Sequence, residues 1–227
     1  MVPSRAVRFA VVTASRQIPV TPWSSAGSRW RTGPFSFGVL LVGLVIFGLA
    51  EALLITARLG NSPWTVLAEG VARHSPLSIG VATFAISAVI LVLWIPLGER
   101  PGIGTIANAV VIAVALGLGV LILPRPTAVP LQLMQVVGGT LLLALGGALY
   151  LTTNLGPGPR DGLMTGLTHR FGWKVAPVRT CLELSAFLVG WALGGKVGVG
   201  TAIFALGVGP ALAWWLRRMP ATRLAAD

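Results

Sequence analysis

The chain has 227 residues, of which 55% are hydrophobic and only 10% are charged, and its formal net charge is +11. Soluble domains carry about 25% charged residues, so this composition excludes an ordinary soluble domain and indicates a membrane protein. No RNA- or DNA-binding motif accompanies the positive charge, and we expect no nucleic-acid partner.

The N-terminal segment, residues 1–33, differs in composition from the rest of the chain. It contains five arginines, no acidic residue, and scattered serine and proline. We predict a basic, disordered cytoplasmic arm here. A second short cytoplasmic tail is predicted for residues 217–227.

Six apolar runs follow, each near the roughly 20 residues that a helix needs to cross the hydrocarbon core. They occupy residues 36–56, 77–97, 103–123, 131–151, 176–194 and 199–216. The sequence therefore predicts an all-α integral membrane protein with six transmembrane helices, in contact with the lipid bilayer.

The two halves of the membrane region, residues 34–124 and 130–216, repeat each other. An offset of 96 aligns Gly60 with Gly156 and Pro63 with Pro159 without a gap. The same offset aligns the string GIGT at 102–105 with GVGT at 198–201. Each half is thus predicted as a long helix, a Gly-Pro turn, a short helix, and two more long helices.

The short helices, predicted at 64–74 and 160–170, are about 16 Å long at 1.5 Å per residue. They cannot cross a bilayer, so each half has three spans and the second half enters from the opposite side. We predict two inverted three-helix repeats, each with an extra short helix that is either interfacial or re-entrant. The interfacial and the re-entrant placement of the short helices are both consistent with the sequence.

The positive charges fit this arrangement. With the N-terminus inside, 13 of the 17 Lys and Arg residues fall on the cytoplasmic side and 4 fall outside. Cytoplasmic loops of membrane proteins carry such an excess. We therefore expect both termini to be cytoplasmic.

The second turn is the one that carries charge. Gly156 and Gly158 allow tight turning, and Pro159 suits the first turn of a helix. Arg160 and Asp161 follow at once. They suggest either a self-capped amphipathic helix or a re-entrant helix whose N-terminus and Arg160 face an anionic solute.

Ionisable residues inside the spans are further candidates, because charge there is expensive. Glu183 follows Arg179 by four residues, which places both on one helical face. This pair is either a structural ion pair or a titratable pair lining a pathway. Glu51 is expected near the outer end of the first span, where an exposed carboxylate has little cost. Asn108 is a milder candidate that either bonds across helices or lines the pathway.

The two turn strings and the segments that follow them resemble a known family. LGNSPW at 59–64, LGPGPRDGLMTGL at 155–167 and LGGKVGVGT at 193–201, with Arg179 and Glu183, are similar to the YczE/YyaS/YitT group of bacterial integral membrane proteins, nearest its YczE-like branch. The likeness covers about residues 36–216. It implies a bacterial cytoplasmic membrane and supplies no substrate. Thr65 departs from the aspartate expected there in many relatives.

These features predict a secondary permease or exporter of a small solute, with a pathway lined by Arg, Glu and Asp. A non-transporting accessory or regulatory subunit that binds a protein partner is the alternative. We expect no enzymatic activity, since two histidines without a nearby nucleophile make a weak catalytic case. No ATP-binding motif or metal-site spacing occurs, so no cofactor or metal is expected. The oligomeric state, a homo-oligomer included, stays open.

Overall fold

The computed structural model describes residues 18–25 and 28–222, and these residues form eight helices and no strand. In chain order the helices are α1 Pro34–Ala57, α2 Pro63–Arg73, α3 Ile79–Leu97, α4 Ile103–Ile122, α5 Val129–Thr152, α6 Pro159–Phe171, α7 Val175–Ala192 and α8 Val199–Arg218. Six of them, all except α2 and α6, are long and apolar enough to span a membrane. The predicted all-α architecture with six spans is confirmed, and every predicted span ends within two residues of the observed helix end.

Proline and glycine set several of these boundaries. Pro34, Pro63 and Pro159 each occupy the first turn of a helix, where the missing N–H has no intrahelical partner to lose. Gly98 and Gly172 end α3 and α6 in the left-handed conformation that favours glycine. These local signals explain why the helix limits could be predicted from the sequence.

Helices α1 and α5 form the centre of the bundle, with α4 packed against α1 and α8 packed against α5. Small residues allow the two central helices to approach closely. A Cβ atom on Gly146 would lie 2.6 Å from the Gly43 carbonyl oxygen, and a Cβ atom on Gly43 would lie 3.0 Å from the Gly146 carbonyl oxygen. Such close backbone contact is a usual way for helices to associate in a membrane.

Each short helix packs against a long helix of the other half: α2 lies against α7, and α6 lies against α3. The Trp94 indole on α3 donates a hydrogen bond of 3.0 Å to the Pro159 carbonyl at the start of α6. Gly162 faces the same indole ring. Both short helices are therefore enclosed by the bundle along one side.

The two Gly-Pro turns also bind across the halves, each to the G-x-G-T segment of the opposite half. The Gly200 N–H donates to the Leu59 carbonyl at 2.7 Å, and the Gly104 N–H donates to the Leu155 carbonyl at 2.9 Å. These four residues form two pairs related by the offset of 96. The turns thus hold the two halves together.

Glycine is required within both turns. Gly60 has φ 113° and Gly156 has φ 115°, a region that side-chain-bearing residues rarely adopt. A Cβ atom on Gly60 would lie 2.5 Å from the Gly198 nitrogen, and one on Gly156 would lie 2.9 Å from Thr105 Oγ1. The repeated glycine in the sequence reflects both the backbone angle and the cross-half contact.

Part of the predicted arm is packed on the bundle. The Trp23 indole donates to Thr152 Oγ1 at 2.9 Å, and the Ser25 N–H donates to the Thr153 carbonyl at 2.9 Å. The expected disorder therefore does not hold for residues 18–25, because their polar groups bind the carbonyl end of α5. Residues 1–17 and 26–27 of the predicted arm and residues 223–227 of the predicted tail lie outside the described residues. The predicted tail begins two residues too early, because α8 continues to Arg218.

Candidate functional site

A cavity of about 580 Å³ lies between the two halves, and we call it the central cavity. Its wall includes residues 62–64 at the start of α2, and Gly158, Arg160 and Asp161 at the start of α6. The charged residues that line it are Glu51, Arg160, Asp161, Arg179 and Glu183. The first turns of both short helices, which carry the positive ends of the helix dipoles, thus meet charged side chains at one place.

Arg160 lies at the meeting point of the two short helices. Its guanidinium carbon is 5.0 Å from the centroid of the Trp64 ring, close enough for a cation–π contact. Trp64 and Arg160 occupy equivalent positions in the repeat. Within residues 18–25 and 28–222, no carboxylate oxygen lies within 4.0 Å of the guanidinium nitrogens, and no side-chain hydrogen bond involves them.

Glu51 is buried, with only 2% of its surface exposed. The Ser62 hydroxyl donates to its carboxylate, with Oγ 3.1 Å from Oε1 and 3.0 Å from Oε2, and the Thr65 hydroxyl donates to Oε2 at 2.5 Å. The expectation of an exposed carboxylate is wrong, because α2 folds back along the bundle and its first turn covers Glu51. Ser62 precedes the first residue of α2 but directs its hydroxyl to Glu51 rather than to the helix amides.

Asp161 lies in the first turn of α6, as the sequence predicts. The Tyr150 hydroxyl on α5 donates to its Oδ2 at 2.6 Å. Tyr150 was not predicted as a site residue from the sequence. The available signal was that this residue is the only tyrosine of the chain and is aligned with the apolar Leu54 in the first half.

Each half joins a hydroxyl and a carboxylate between its long helix and its short helix, with the carboxylate on opposite partners. In the first half the long helix supplies Glu51 and the short helix supplies Thr65; in the second half the long helix supplies Tyr150 and the short helix supplies Asp161. Thr65 is aligned with Asp161. An aspartate at position 65 would place a second carboxylate against Glu51, which gives a physical reason for the uncharged residue there.

Arg179 and Glu183 form the ion pair that their spacing predicts, with Nε and Oε1 3.3 Å apart. Their side chains are 58% and 41% exposed, so this pair belongs to the open part of the central cavity. Glu183 lies in the middle of α7, inside the predicted span, but its side chain is far less enclosed than that of Glu51. The enclosed carboxylate is Glu51.

Asn108 on α4 also lines the cavity and lies beside the second turn. A Cβ atom on Gly158 would be 3.1 Å from Asn108 Nδ2. The second turn therefore approaches α4 closely, and Asn108 joins Arg160 and Asp161 in one region. Within the described residues, no group of three or more His, Cys, Asp or Glu side chains could hold a metal ion.

Six membrane-length helices, two short helices and a charged internal cavity define a multi-pass helical membrane protein. The chain belongs to the family described as Family of unknown function (DUF6198), whose model matches residues 35–217.

Three relatives agree with this assignment. An "Uncharacterized protein" of Haemophilus influenzae is 42% identical over 201 residues, which cover 88% of this chain and 92% of the relative. The "Uncharacterized membrane protein YczE" of Bacillus subtilis is 34% identical, with 72% of this chain and 77% of the relative covered. The "Uncharacterized protein YyaS" of the same species is 23% identical, with 71% and 83% covered. The resemblance to the YczE and YyaS proteins is thereby confirmed. No solved structure matches the chain.

Proposed function

We propose that this protein is a secondary permease or exporter that moves a small solute through the central cavity of a bacterial cytoplasmic membrane. The observation that carries the proposal is the convergence of Arg160, Asp161 and Glu51, which come from both halves, on one cavity between membrane-length helices. Charged residues inside a membrane are expensive unless they are paired or face a water-filled pathway. Arg160 has no carboxylate oxygen within 4.0 Å among the described residues and lines the cavity, which fits a role in binding solute.

The repeat supports this proposal. Transporters built from inverted repeats place short or broken helices at the repeat interface and bind solute where their N-termini meet. Here α2 and α6 begin at the cavity wall, and each packs on a helix of the opposite half. In the proposal, α2 and α6 are re-entrant, both termini are cytoplasmic, and a rocking of the halves opens the cavity to each side in turn.

The proposal is tested by flux measurements with a blocked cavity. Purified protein in liposomes is incubated with a bacterial metabolite extract, and the retained solutes are identified by mass spectrometry. Gly147 lines the cavity, so Gly147→Phe fills it. Gly138 lies on the same helix, and a Cβ atom there would have no other part of the protein within 4 Å, so Gly138→Phe is the matched control.

We expect at least one solute to accumulate with the native protein and with Gly138→Phe but not with Gly147→Phe. Retention no greater than in protein-free liposomes would defeat the permease proposal. That outcome would favour the alternative, an accessory subunit that binds a partner protein and moves nothing.

A further inference from the structure

The interior of the central cavity carries both signs of charge. Arg179 and Glu183 neutralise each other at the open part of the cavity. This leaves one guanidinium, Arg160, and two carboxylates, Glu51 and Asp161. A solute bound there therefore meets a hydrogen-bond donor group and acceptor groups together.

The donor side consists of the Arg160 guanidinium, which presents five N–H groups. Its guanidinium carbon lies over the Trp64 ring, and none of its N–H groups donates to an oxygen within the described residues. A planar guanidinium fixed in this way matches the two oxygens of a carboxylate in a bidentate contact. A compact carboxylate on the solute would satisfy it.

The acceptor side offers fewer free oxygens than its two carboxylates contain. Both oxygens of Glu51 already accept from Ser62 or Thr65. Oδ2 of Asp161 accepts from Tyr150, while within the described residues no donor binds its Oδ1. The unfilled acceptor is thus Asp161 Oδ1, which belongs to the same cavity wall as the unfilled donor Arg160, and Glu51 lines that cavity as well.

We infer that the solute is a small zwitterion of the α-amino-acid type, whose carboxylate binds Arg160 and whose ammonium group binds Asp161. This inference rests on the proposed function and specifies its substrate class. A simple anion would enter a cavity that already holds two carboxylates, and a simple cation would leave the Arg160 donors unfilled. A zwitterion fills both without changing the net charge of the cavity.

The remaining wall accommodates the rest of such a molecule. Phe47, Leu143 and Met164 give the cavity an apolar side. Its volume of about 580 Å³ exceeds what a carboxylate and an ammonium group need. A solute with an apolar side group therefore fits better than glycine does.

Sets of matched probes test how much the carboxylate and the ammonium group of the solute each contribute to binding. Purified protein in lipid nanodiscs is titrated with leucine, with 4-methylpentanoate, which lacks the amine, and with 3-methylbutylamine, which lacks the carboxylate. The corresponding sets built on glycine and on phenylalanine vary the side group. The midpoint of thermal unfolding reports binding, because a ligand that binds the folded state raises it.

We expect, in at least one set, that the zwitterion raises the midpoint at a concentration about 10- to 100-fold lower than either truncated probe, since each truncation removes a charge-assisted hydrogen bond. Arg160→Gln and Asp161→Asn should each weaken the response to the zwitterion by a similar factor. The wild-type comparison stands even if one variant fails to fold.

An equal response to the acid or to the amine alone would overturn the zwitterion inference, and so would the absence of a zwitterion response in all three sets. Neither result decides the permease proposal, which depends on the metabolite flux through the native and blocked cavities. Conversely, flux of a solute that lacks either charged group would support the permease proposal and contradict the zwitterion inference.

Discussion

Replacing Gly60 with alanine is expected to loosen the contact between the halves. Gly60 has φ 113°, and holding alanine in such a conformation costs about 1–3 kcal/mol. The new Cβ atom would also lie 2.5 Å from the backbone nitrogen of Gly198, which cannot move without displacing the start of α8. Overpacking of this kind adds about 1–3 kcal/mol.

Two other glycines separate the effects of backbone angle and cross-half contact. Gly156 has φ 115°, and its nearest neighbour is the Thr105 hydroxyl at 2.9 Å, so Gly156→Ala carries the same backbone strain with a milder contact. Gly98 has φ 73°, in the left-handed helical region, and a Cβ atom there would contact nothing within 4 Å, so Gly98→Ala carries a smaller backbone strain and no contact. The expected order of destabilisation is Gly60, then Gly156, then Gly98.

The assay is thermal unfolding of the purified variants in mild detergent, followed by tryptophan fluorescence. A chain of 150–250 residues loses about 2–4 °C in Tm per kcal/mol, so the contact term predicts a Tm for Gly60→Ala about 2–12 °C below that of Gly98→Ala. Equal Tm values for these two variants would refute the role of the turns in joining the halves.

Two further predictions concern topology and the pathway. Cys181, which is exposed, is first replaced by serine, and single cysteines are then placed at His74 and Arg170, which are exposed and equivalent in the repeat. These two cysteines should react with an impermeant thiol reagent from opposite sides of the membrane. Labelling of both from one side would reject the inverted repeat. Glu51→Gln keeps the shape of the side chain but replaces the carboxylate with an amide. It should lower the initial flux of any transported solute about 10- to 100-fold with little change in folded yield. Glu99 lies outside the cavity wall, so Glu99→Gln should leave the flux unchanged. An unaltered flux with Glu51→Gln would show that the enclosed carboxylate takes no part in transport.

The sequence was most informative about the candidate site where local chemistry is strong. The run from Gly156 to Asp161 identified a helix start with a charged first turn, and the structure has that helix at Pro159–Phe171. The spacing of Arg179 and Glu183 predicted their ion pair. Both results depend on residues within a few positions of each other, for which helix geometry fixes the contact.

By itself, the sequence determined the six long helices, the two short ones, the positions of the turn glycines and the family, because hydrophobic length and Gly/Pro punctuation act locally along the chain. Only the tertiary structure decided that Glu51 is enclosed, that Tyr150 binds Asp161, and that Arg160 lies over Trp64. Each of these contacts requires a short helix to fold back against the bundle or to meet its counterpart from the other half. Nearly uniform apolar helices carry little information about which of their faces will meet, so the composition of the central cavity follows from packing between helices and not from the pattern within any one of them.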